Sequence, residues 1–119
     1  MRSTPVRLML LVVCVTAVVG SAFALQSDPA PYVVTAIDYH FHDAHPTLPI
    51  GAGRALVVKN EGRNVHNVTV DALGFSRDVR PGARLTIDDI SDRLAPGRYV
   101  VMCRYHVDRG MTGTIVIAE

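Results

Sequence analysis

The chain has 119 residues, 12 of them basic and 11 acidic, for a formal net charge of +1. That length suits one domain of ordinary size, and the near-neutral balance gives no reason to expect nucleic acid or an acidic membrane surface as partner. Of the two cysteines, Cys14 falls in an N-terminal leader and Cys103 stands alone, so the mature chain cannot be a disulfide scaffold.

Residues 1–24 read as a secretory signal peptide. Arg2 and Arg7 supply a charged n-region, Leu8 to Val19 is a short apolar run, and Ala22-Phe23-Ala24 is an A-x-A cleavage signal. The run is shorter than the roughly 20 residues of a membrane-spanning helix. An uncleaved N-terminal anchor is therefore the weaker alternative. Bulky Val13 before Cys14, and the apolar run continuing past it, argue against a lipid-bearing cysteine. Cleavage after Ala24 removes Arg2 and Arg7 and no acidic residue, which brings the net charge to about −1. The expected location is the periplasm or another compartment outside the cytoplasm.

Residues 25–31 form a polar, Pro-rich linker, and residues 32–119 form the single folded domain. From Tyr32 on, short runs rich in Val, Ile, Thr and Tyr alternate with Gly, Pro, Asn and Asp clusters. Strands are expected at Tyr32–Ile37, Arg54–Asn60, Val65–Val70, Arg84–Ile87, Arg98–Cys103 and Gly113–Ala118. Turns are expected at Asn60-Glu61-Gly62, Pro81-Gly82 and Pro96-Gly97, and no stretch of the domain has helical periodicity. The pattern predicts an all-β, antiparallel sandwich or barrel.

Four side chains carry the chemistry. Period-2 phasing puts His66, Val68 and Val70 on one face of a strand, and Cys103, Val101 and Tyr99 on one face of another. His106 and Met111 follow Cys103 in a loop that closes into the last strand at Gly113. If the two strands are neighbours, all four meet at one end of the sandwich. Two imidazoles, one thiolate and a weak axial thioether form the ligand set of a blue-copper electron-transfer site, which suits both Cu(II) and Cu(I). Zinc is disfavoured, because a structural zinc site wants four strong N/S ligands and Met is a poor one. A Cys–His hydrolase would need a substrate cleft and an orienting third group, for which the mature chain leaves little room.

The spacing Cys-x₂-His-x₄-Met, with Gly110 before the Met and Gly113 two after it, resembles the copper loop of plastocyanins and related small cupredoxins. Asn64-Val65-His66-Asn67-Val68 resembles their first-histidine motif, and Pro96, Gly97 and Tyr99 resemble their approach to the Cys strand. The resemblance implies a Greek-key β-sandwich holding one type 1 copper ion on His66, Cys103, His106 and Met111. It also implies that Asn67 steadies the Cys-bearing loop, and that His106 is the electron port amid Val107 and Tyr105. Tyr105 stands where a loop Pro is common, and Met102 where plastocyanins carry Tyr, so the photosynthetic partner is not carried over.

The implied function is single-electron transfer, without enzymatic chemistry, by a monomer that meets its redox partners (a cytochrome, oxidase or reductase) transiently. The rival reading is an extracytoplasmic protein that buffers or delivers copper. His40, His42 and His45, in HFHDAH, form a possible weak second metal site, although a solvated loop and strand end is the plainer expectation.

Overall fold

In a computed structural model, residues 27–119 are described; the signal-peptide expectation lies outside them. Nine strands and one α-helical turn follow in order. They are β1 (Tyr32–Ile37), β2 (His40–His42), β3 (Thr47–Pro49), β4 (Leu56–Asn60), β5 (His66–Val70), β6 (Phe75–Val79), β7 (Arg84–Ile87), α1 (Ile90–Arg93), β8 (Gly97–Met102) and β9 (Thr112–Ala118). Two sheets form, in the orders β2-β1-β4-β7 and β3-β9-β8-β5-β6.

The six expected strands are present, two with the expected bounds and four displaced by one or two residues at an end. Three more lie at sheet edges, where alternation is weak. β2 and β3 have only three residues each, too few for a period to register. β6, FSRDV, exposes Ser76, Arg77 and Asp78, and charge on an edge strand discourages pairing with another chain. The single turn of α1 is likewise too short to carry a helical period.

The antiparallel expectation needs one correction. β1 pairs parallel with β4, Tyr32 opposite Leu56, and β3 pairs parallel with β9, Thr47 opposite Val116. The remaining pairings are antiparallel, so both sheets are mixed. Parallel neighbours need a long crossover, and the excursion through β2 and β3 carries the chain from β1 to β4.

Alternation builds the core between the sheets. In β9, Gly113, Ile115 and Ile117 are buried while Thr112 is exposed and Thr114 and Val116 are half-buried. Val34, Ala36, Leu56, Val58, Val68, Val70 and Val101 face them from the other strands. Gly113 is required by close approach, since a Cβ there would run into the Ala44 carbonyl oxygen and Cβ. Among the described residues, no helix is long and apolar enough to cross a membrane.

Candidate metal centre

His66 opens β5 and Cys103 follows the last residue of β8, and these strands are antiparallel neighbours in one sheet. Adjacency therefore delivers an imidazole and a thiol to one end of the sandwich. His106 arrives from the loop between β8 and β9. Backbone hydrogen bonds fix that loop: His106 N–H donates to the Cys103 carbonyl at 3.0 Å, and Cys103 N–H to the Met111 carbonyl at 3.0 Å. Gly110 takes φ +79° after the 3₁₀ turn Val107–Arg109, a conformation that a side chain would strain.

Three donor atoms converge. The Nδ1 atoms of His66 and His106 are 3.3 Å apart, and Cys103 Sγ lies 3.4 Å from His106 Nδ1. All three ligating atoms lie within 4.8 Å of one another, the only such group of His, Cys and carboxylate donors among the described residues. His66 and Cys103 are fully buried, and His106 is half-buried. Met111 is fully buried at the loop's end, inside the same core cluster.

The surroundings decide what these donors can do. Asp38, on the turn between β1 and β2, has Oδ1 2.7 Å from His66 Nε2. The carboxylate also accepts backbone N–H bonds from Arg63 (2.9 Å) and Asn64 (3.3 Å). The Arg63 N–H bond does most to hold its pKa below the usual carboxylate value, followed, against opposing burial, by the bonds from His66 and Asn64. An ionised Asp38 only accepts, so His66 Nε2 carries the proton and Nδ1 keeps a free lone pair aimed at the other donors. Gly62 makes this contact possible, because a Cβ there would collide with the Asp38 carboxylate and crowd His66 Nε2.

On the thiol side, the Asn67 backbone N–H donates to Cys103 Sγ at 3.3 Å. The buried Asn67 side chain turns to β6, where Nδ2 donates to Asp78 Oδ1 (3.0 Å) and Ser76 Oγ (3.3 Å). Asp78 in turn accepts from the Tyr105 hydroxyl at 2.7 Å, so Asn67 reaches the Cys-bearing loop through a carboxylate. Tyr39 packs on His106, ring centroids 4.6 Å apart, and the Arg109 guanidinium lies 4.3 Å over Tyr39. Burial above all pushes the His106 pKa down, and the nearby Arg109 charge adds to it. The shift favours the neutral ring, the form that can ligate.

Sequence reasoning found the three converging donors and missed Asp38 and Tyr39. Nothing in the spacing marks either residue; the only signal is the general need of a ligating histidine for an acceptor on its far nitrogen. His40 and His42 are brought together at the exposed face of β2, and His45 does not join them in a three-donor cluster.

One cysteine sulfur with a backbone donor and two imidazoles make a donor set suited to a soft or borderline transition metal. Residues 7–117 match the family described as the cupredoxin-like domain. The chain belongs to that family. No curated protein sequence matches it. Several solved structures share its fold. A reduced auracyanin from Roseiflexus castenholzii is 18% identical with a TM-score of 0.63, over 78% of this chain and all of that one. A mutant plastocyanin of fern is 18% identical with a TM-score of 0.59, over 72% of this chain and 99% of that one. A Cu-containing nitrite reductase from Thermus scotoductus is 24% identical with a TM-score of 0.61, over 78% of this chain but only 23% of the enzyme.

Proposed function

We propose that this cupredoxin is an exported type 1 copper protein that carries single electrons between redox partners. His66, Cys103 and His106 would hold the copper, with the buried Met111 thioether as a weaker fourth donor. The observation that carries the reading is the convergence of two Nδ1 atoms and one buried sulfur at one end of a rigid sandwich. Copper held there supplies a one-electron couple, Cu(II)/Cu(I), whose two states this ligand set accepts alike. The chain's own residues do the rest. Asp38 and the Asn67 N–H hold the donors, the closed loop limits rearrangement, and half-buried His106 gives the centre its route to the surface.

Beside His106 the exposed apolar residues Tyr105 and Val107 offer a small docking face. Arg104 and Arg109, also exposed on the loop, bias it toward an acidic partner. Such a face suits brief encounters with a cytochrome, oxidase or reductase. Chemistry on a substrate is not part of this reading. Copper buffering or delivery is the second reading, favoured by the exposed His40–His42 pair.

A visible and EPR spectrum of the Cu(II)-loaded protein tests the proposal. An intense thiolate-to-copper band with reversible one-electron reduction is expected, and Cys103→Ser should abolish the band. A colourless protein that gives up its copper to mild chelators would instead favour delivery.

A further inference from the structure

His40 and His42 lie outside the centre just described, on the edge strand β2. Phe41 between them is buried, so period-2 geometry turns both imidazoles to the solvent face. Residues i and i+2 on a strand are spaced about 6.6 Å along the backbone. The two Nε2 atoms nevertheless close to 2.6 Å, with ring centroids 4.1 Å apart. Nothing in the core forces this convergence, because both rings are exposed.

We propose that His40 and His42 form a second, surface metal site that takes Cu(II) through their two Nε2 atoms. With bonds of about 2.0 Å, adjacent positions on a square-planar or tetragonal ion place two nitrogens about 2.8–2.9 Å apart. A tetrahedral ion spreads them to about 3.3 Å. In the metal-free pair this separation is an N–H···N hydrogen bond between the rings, which an ion can replace with little movement of either ring. Among divalent ions that imidazole suits, Cu(II) stands highest in the affinity series. No third His, Cys or carboxylate completes a cluster with the pair among the described residues. The other positions are therefore open to water, which suits exchange rather than storage. The site also has a defined place: its strand continues the turn that gives Asp38 to His66 and Tyr39 to His106. His40 is at most about 7 Å along the chain from Asp38. This inference stands whether or not the first site is an electron carrier.

The test is titration of protein already loaded with one equivalent of copper, using further Cu(II) and following EPR and the visible band. A second equivalent is expected, with a tetragonal, non-blue spectrum showing superhyperfine coupling to two nitrogens and no change in the visible band. It should vanish in His40→Gln and in His42→Gln, and persist in His45→Gln. Absence of a second equivalent, its persistence in the His40→Gln/His42→Gln double variant, or its loss in His45→Gln would each overturn the assignment. Both rings are exposed, so the variants should keep the wild-type fold, which far-UV circular dichroism checks. Failure of the first equivalent to give a thiolate band would count against the electron-carrier reading alone.

Discussion

His66 is sealed, with no solvent exposure, at the start of a strand, and its far nitrogen is tied to a carboxylate that two backbone N–H groups hold in turn. His106 sits half-buried in a loop, and its ring is held by packing on Tyr39 rather than by an acceptor on its outer nitrogen. One imidazole is fixed by directional bonds, the other by contact and by the short loop that carries it. The contrast divides the labour of the centre. The buried half sets geometry, and the loop half meets the outside.

Gly62→Ala should break the buried half most severely. The new methyl runs into the Asp38 carboxylate beside His66 Nε2, and overpacking of this kind costs about 1–3 kcal/mol. A lowered urea midpoint of the metal-free protein is the expected result; an unchanged midpoint would mean that Asp38 is not confined as described.

Asp38→Asn is milder, since it keeps the shape and removes the charge. The amide can offer His66 Nε2 a donor or an acceptor, so the ring loses its fixed tautomer. Loss of such a partner typically lowers metal affinity about 10–100-fold, measurable by chelator competition. Nitrogen-15 chemical shifts of the metal-free protein should show His66 protonated at Nε2 in the wild type and mixed in the variant.

Acidification sharpens the loop half. The folded-state pKa of His106 lies below the usual 6.5, so the unfolded chain binds its proton more readily. Stability held above that value is then lost as pH falls through the lower, folded pKa. The metal-free protein should unfold at a lower urea concentration at about pH 5 than at about pH 7, and His106→Gln should flatten that difference. Asp38 acts in the same sense at lower pH, because its folded pKa is below the usual 3.8.

The smallest effect belongs to Tyr105→Phe. It removes the exposed hydroxyl bond to Asp78 and leaves the loop tied to Asp78 through Arg104 and to Asn67 through its N–H bond to Cys103 Sγ. A single exposed bond of this kind is worth about 0.5–1 kcal/mol. The expected outcome is a small drop in unfolding midpoint with copper affinity unchanged; a large loss of affinity would show that the loop depends on this link.

How far the sequence could be read follows from what alternation encodes. Buried and exposed positions in β9 are spelled out by side-chain polarity, and runs of Val, Thr and Tyr between turn residues mark β5 and β8, so the strands and the donors at their ends were legible. Alternation tells which face a residue takes and not which way its neighbour runs, so the parallel pairs β1/β4 and β3/β9 were not. Asp38 was hidden for a related reason. It is one of 11 acidic residues, and its importance comes from a turn that meets His66 from 28 positions away.

That last contact joins the two layers. Asp38 leaves the sheet that contains β1, while His66 belongs to the sheet that contains β5. The first histidine therefore reaches its finished orientation only once the layers have docked. A chain in which β5, β8 and β9 had assembled ahead of β1 would hold a looser nest of donors. Metal-release rates measured during refolding should consequently serve as a clock for sandwich closure, read at a single side chain.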